Sequence, residues 1–174
     1  WVIFEPKFLK RKALGDGEIT LNSWVQKYAA NSNDLILQMD IEGAEWEVLA
    51  GSEPETLSKF RMLVIEFHGM HKVFDRLANF QIFQTLSKLD EFFYVVHAHA
   101  NNFEQTVVNF DLAVPPVWEV TYLRRDRVKQ VLGDAAIPNE FDRPNNPATD
   151  EIRLDLLFKA LGDDDLLESK EGVM

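Results

Sequence analysis

Leu35-Ile36-Leu37-Gln38-Met39-Asp40-Ile41-Glu42-Gly43-Ala44-Glu45-Trp46-Glu47-Val48-Leu49 joins an apolar run to a helical pattern through a carboxylate-rich turn. The run from Leu35 to Met39 is almost unbroken, as in a strand covered on both faces of a parallel sheet. From Ala44 to Leu49 the spacing is helical, and Gly51 supplies a stop signal. Between them, Gly43 permits a tight strand-to-helix reversal. A strand passing straight into a helix is the repeating unit of an α/β fold.

Working outward, Leu21, Trp24, Val25 and Tyr28 recur on one helical face, with Thr20 or Asn22 available as N-cap. Ser52 and Glu55 fit a capping box with Pro54 in the first turn, predicting a short helix to about Lys59. Met62 to His68 reads as a second buried strand. Val73, Leu77, Phe80, Phe83, Leu86 and Leu89 predict a helix from about Lys72 to Asp90. Phe92 to Val96 reads as a third strand. Val117 to Arg125 alternates as a fourth, antiparallel to the third because no crossover helix separates them. The opening Trp1-Val2-Ile3-Phe4 reads as a buried strand or its tail. Ile137 to Pro147 is a Pro- and Asn-rich surface loop. Ile152 to Leu161 is expected as a short helix or strand. The expected fold is α/β, a Rossmann-like sheet, mostly parallel, with a C-terminal antiparallel hairpin. One domain is expected over residues 1–158, with an acidic C-terminal tail over 159–174. Because the chain starts at Trp1 inside a strand-like run, the sheet is expected to be incomplete at its N-terminus.

The 174 residues, 46% hydrophobic and with thirteen Phe, suffice for one hydrophobic core and exclude a disordered class. A net charge of −11 disfavours nucleic acid and anionic membranes as partners, since both are bound through clustered Lys and Arg. The basic cluster Lys7, Lys10, Arg11 and Lys12 is small. With no Cys there are no disulfides and no thiolate zinc site. No apolar run reaches membrane-spanning length and no signal peptide is visible, so the expectation is a cytoplasmic protein.

In open α/β sheets, ligands sit beyond the carboxyl ends of the parallel strands. Three successive predicted strands here end in functional groups: Asp40 and Glu42; Glu66 and His68; His97, His99, Asn101 and Asn102. The plainer explanation for the acids is a helix N-terminus, where the macrodipole favours negative charge. His71 reads as a surface residue. The recurrence at three strand ends favours a shared site.

The segment Leu37 to Leu49 resembles the central motif of FkbM-type methyltransferases, a strand followed by Asp-Ile/Val-Glu-Gly-Ala-Glu. Ile19 to Trp24, Val64 to His68, His99 to Asn102, Trp118 to Leu123 and Phe141 to Pro147 resemble further family segments in the expected order, over about residues 19 to 147. The resemblance implies a class I methyltransferase sheet and S-adenosylmethionine as cofactor, held by Asp40, Ile41, Glu42 and Gly43. It also implies a hydroxyl-bearing small-molecule or carbohydrate-like substrate. The family's upstream glycine-rich cofactor loop is absent from this chain, and Glu5 only superficially resembles the ribose-binding acid.

Methyl transfer to a hydroxyl needs an oriented, dry pocket and a group that assists loss of the proton. Asp40 and His68 are the candidate catalytic residues, with Glu42 orienting acceptor or cofactor. Glu66, His99 and Asn102 are the candidate substrate-binding groups. Asp40, Glu42 and Glu66 could hold a hard cation, but nothing in their spacing demands one. Two rivals use the same features: a non-catalytic ligand-binding module, and a homodimeric interaction scaffold joined through an exposed sheet edge.

Overall fold

The computed structural model describes residues 2–109, 112–130 and 137–154. The expected acidic tail and most of the segment beyond Ile152 lie outside the described residues.

Among the described residues, Val2 to Phe4 do not form the expected strand. Val2 is 99% and Phe4 85% exposed, so the apolar start is uncovered by the described residues. Two short strands follow, β1 (Phe8–Leu9) and β2 (Glu18–Ile19), paired in parallel. Helix α1 (Leu21–Ala29) begins where expected, its N-cap Thr20 accepting a hydrogen bond from the Ser23 amide. Then come β3 (Leu35–Met39), α2 (Glu45–Gly51) and α3 (Pro54–Leu57). The predicted capping box at α3 does not form. Its N-cap is Glu53, and the Ser52 hydroxyl instead donates to the Val48 carbonyl at the end of α2.

After β4 (Phe60–His68), a 3-10 turn over Met70–Phe74 leads into α4 (Arg76–Phe92), and His71 in that turn is half-buried rather than on the surface. The Asp75 carboxylate caps α4 by accepting from the Leu77 and Ala78 amides. Asp75→Ala is expected to cost about 1 kcal/mol in urea denaturation, the usual loss when a side-chain cap is removed. The buried stripe of α4 is Ile82, Thr85 and Leu89; of the predicted residues, Val73, Leu86 and Leu89 reach the core, whereas Leu77, Phe80 and Phe83 are exposed. The prediction followed three-residue steps. Each such step rotates roughly 60° backward around a helix of 3.6 residues per turn, so the predicted stripe crosses the helix surface and reaches the core face only at Leu86 and Leu89.

Strand β5 (Phe93–Ala100) is followed by a small antiparallel hairpin, β6 (Val107–Asn109) and β7 (Leu112–Val114), and then β8 (Val117–Arg124). The main sheet has the order β3-β4-β8-β5. β3 and β4 are parallel, while β8 is antiparallel to both β4 and β5. The sheet is therefore mixed rather than mostly parallel. β3, β4 and β5 do share one direction, and the expected β5–β8 pairing forms. What local patterning did not reveal is that β8 lies between β4 and β5, in the gap left by the α4 crossover.

One cluster joins all four helices to one side of the sheet, with Leu21, Val25, Trp46, Val48, Leu57 and Leu89 among its members. From the strands it takes alternate residues: Leu37 and Met39, then Leu63, Ile65 and Phe67. The other alternation is open on β3 and β4, where Ile36 is 52% and Val64 36% exposed. β3 is thus covered on one face, against the expectation of two. Residues 137–154 pack on β5, with Ile137, Ile152 and Leu154 against Ala98 and Ala100. Among the described residues, no helix is long and apolar enough to cross a membrane.

Candidate functional site

The turn between β3 and α2 is built from two successive left-handed residues, Glu42 (φ 56°) and Gly43 (φ 100°). Glycine meets this at no steric cost, but a left-handed glutamate needs surrounding bonds to hold it. Those bonds come from Glu45, in the first turn of α2. Its Oε1 accepts from the Ile41 amide at 3.0 Å and the Gly43 amide at 3.1 Å. The Glu45 carboxylate is fully buried and also lies 3.3 Å from Nδ1 of His68. The other imidazole nitrogen, Nε2, is 3.5 Å from Oε2 of Glu42. Next along α2, Trp46 donates its indole N–H to the His68 carbonyl at 2.7 Å and stacks on Phe67 with ring centroids 4.4 Å apart. The motif's last acid and its tryptophan therefore fasten the β3–α2 turn to the tip of β4.

Asp40, exposed at the end of β3, completes the group: one ligand atom each from Asp40, Glu45 and His68 lie within 4.8 Å of one another. Asp40, Glu42 and His68, expected together, stand near one another at the strand tips, and Asp40 and Glu42 line a common cavity. Glu45 was not among the expected site residues; its only sequence signal was its place in the motif, where it reads equally well as a helix-start acid.

Glu66 sits one row over. The sheet register aligns it with Glu119 on β8, and Glu119 with His99 on β5. Its Oε1 accepts from the Asn101 amide at 3.1 Å. Burial raises the Glu66 carboxyl above its ordinary value of 4.5, with the charges of Asp40 and Glu119 adding to the rise and Asn101 and His68 opposing it. A carboxyl shifted upward holds its proton more tightly folded than unfolded. Its contribution to stability is present below 4.5 and lost as pH rises through the folded value. Glu66→Gln keeps the acceptor for Asn101 without the charge. It is expected to raise the melting temperature near neutral pH, and to lose that advantage at about pH 4, where the wild-type group is protonated too.

The other expected substrate groups are otherwise employed. Asn102 is 5% exposed and its amide donates to the carbonyls of Asn146, Thr149 and Asp150, while its Oδ1 accepts from the Asn146 amide. His99 is 4% exposed, with Nε2 2.9 Å from Glu151 and Nδ1 3.6 Å from Glu119. Both hold the 137–154 segment against β5 rather than opening onto the cleft, a correction that follows from that segment packing down instead of running free. Glu5 accepts from Lys27 at 2.8 Å and from the Tyr28 hydroxyl; these bonds, that to Lys27 first, hold its carboxyl below the ordinary value.

Two cavities flank the turn. One, of about 450 Å³, is lined by Phe8, Trp24, Met39, Asp40, Ile41 and Glu42. The other, of about 440 Å³, lies between Lys10, Glu42, Gly43, Trp46, Lys72 and Gln81. Lys10, Glu42 and Ala44 line both. A polar turn set beside a concave, partly aromatic wall is the usual form of a small-molecule site.

The Methyltransferase FkbM domain matches residues 17–104, just over half of the 174-residue chain. The chain belongs to the FkbM methyltransferase-domain family. The match spans β2 to β5, so the FkbM domain includes Asp40, Glu42, Glu45, Glu66 and His68. β8 and the 137–154 segment, which complete the sheet and brace β5, lie beyond the matched stretch. No curated protein and no solved structure matches the chain significantly.

Proposed function

We propose that this chain is part of an S-adenosylmethionine-dependent methyltransferase that transfers a methyl group to a hydroxyl of a small, sugar-like substrate. The observation that carries the reading is the meeting of Asp40, Glu45 and His68 within 4.8 Å, beside a cavity that Asp40 and Glu42 also line. S-adenosylmethionine would supply an electrophilic methyl group on a positively charged sulfur. The residues present suit such a ligand: Asp40 and Glu42 offer acceptors toward its amino and sulfonium cations, Lys7 and Lys10 on the same wall face its carboxylate, and Phe8, Trp24 and Met39 offer an apolar surface. Ile41 and Gly43 contribute backbone at the same turn.

Loss of the acceptor's proton falls to the Asp40–His68 pair. Asp40 is exposed to the cleft, while Glu45 holds the imidazole of His68 in place as a positioning residue. Glu66, half-buried beside them, lies where it can bind a substrate hydroxyl. Isothermal titration of the chain with S-adenosylmethionine tests the reading, followed by transfer of labelled methyl to a panel of polyols. Cofactor binding with transfer to a hydroxyl supports it. Absence of cofactor heat rejects it in favour of a non-catalytic module.

A further inference from the structure

We infer that Asp40, Glu45 and His68 form a binding site for a divalent transition cation, with Mn²⁺ or Zn²⁺ fitting the donors better than Ca²⁺ or Mg²⁺. Ligands bound at about 2.0–2.3 Å from one ion stand about 3 to 4.5 Å apart. Ligand atoms of the three residues all fall within 4.8 Å, and the Glu45–His68 separation is 3.3 Å. Closing on an ion therefore requires shifts of a few tenths of an ångström and exchanges the Glu45–His68 hydrogen bond for one bond from each residue to the ion.

The donor set decides the class of ion. Two carboxylates and one imidazole match borderline first-row cations, whereas Ca²⁺ and Mg²⁺ favour all-oxygen surroundings. The supporting bonds are those of a preorganised site. Glu45 is fixed by the Ile41 and Gly43 amides, and the backbone at His68 is fixed by the Trp46 indole. Such bonds around the ligands orient them before the ion arrives. The cluster is also electrostatically incomplete. Glu42 and Glu45 both stand within 3.5 Å of the His68 ring and Asp40 lies in the same group, so three carboxylates gather at one imidazole. A dication at this point relieves that crowding. Because Asp40 and Glu42 are exposed on the cavity side, the remaining coordination positions would face the cleft and be open to a water or a substrate oxygen.

This site deepens the methyl-transfer reading, since an ion-bound hydroxyl loses its proton more readily. In the ion-loaded state His68 is a ligand rather than a proton acceptor. The binding claim itself needs no methyl donor and is tested without one. Mn²⁺ is titrated into the full chain and the unbound ion followed by electron paramagnetic resonance. One ion per chain is expected, with dissociation constants raised about tenfold or more in Asp40→Asn and His68→Gln. Glu104→Gln, in the exposed loop after β5, should bind as wild type. Circular dichroism confirms that each variant is folded. No binding of Mn²⁺ or Zn²⁺ up to about 1 mM, the weak end of the range for protein sites, overturns the assignment, as does unchanged affinity in both folded variants. Cofactor heat without ion binding sinks the metal site and leaves the methyltransferase reading standing. Ion binding without cofactor heat does the reverse.

Discussion

Asp40→Asn is expected to lower the methyl-transfer rate by about 10² to 10⁴-fold, the range for losing a group that assists proton transfer. The fold should survive, because the side chain is exposed at the end of β3 and asparagine is nearly isosteric. The neighbouring Glu45 and Trp46 bonds, which hold the turn, do not involve Asp40. A labelled-methyl assay beside a circular-dichroism melt separates the two effects. A variant that melts like wild type and turns over at the wild-type rate removes Asp40 from the chemistry. The same assay on His68→Gln should give a comparable loss, since Asp40 and His68 meet at one point.

The largest effect on stability is expected at Phe67. This ring is 1% exposed, stacks on Trp46 at 4.4 Å and meets the edge of Tyr122 at 6.4 Å. Phe67→Ala removes a full aromatic side chain from the centre of the core and leaves a cavity bounded by strands that cannot collapse into it. The cost is about 3–5 kcal/mol, a large share of the stability of any single domain. Urea denaturation measures it. The loss should extend to function even where the variant stays folded. Without Phe67 behind it, Trp46 is free to shift, and its indole then no longer fixes the backbone at His68. A variant losing under 1 kcal/mol, roughly the cost of a surface change, would mean the Trp46–Phe67 stack is not central to the core.

Much of the site was legible before the structure because it lies within one short stretch and at the ends of patterned strands. The run from Leu35 to Met39 must bury alternate residues somewhere, and the acids after it cannot follow it into the core. Asp40 and Glu42 therefore had to emerge at the strand's end, and the same reasoning holds for Glu66 and His68 on β4. Glu45 was obscured because an acid in the first helical turn is favoured by the macrodipole alone. Its hydrogen bond to His68 links residues 23 apart, a pairing no local pattern records. His99 and Asn102 were misplaced for a related reason: their partners, Glu151 and the 146–150 backbone, are some 44 to 52 residues away.

The α4 stripe failed differently. Leu77, Phe80 and Phe83 are as apolar as Ile82 and Leu89, so composition could not choose between two faces of one helix. Only the position of the sheet chose.

By itself, then, the sequence determined the main helices and the four strands of the central sheet, their order, the shared direction of β3, β4 and β5, and the polar tips of the strands. Each of these follows from periodicity, capping and the exclusion of charge from a core, which act over a few residues. Only the tertiary structure decided that β8 lies between β4 and β5, that residues 137–154 brace β5, and that Glu45 and His68 share one point. Those outcomes depend on contacts between distant parts of the chain, which form only when the whole sheet and its helices pack together.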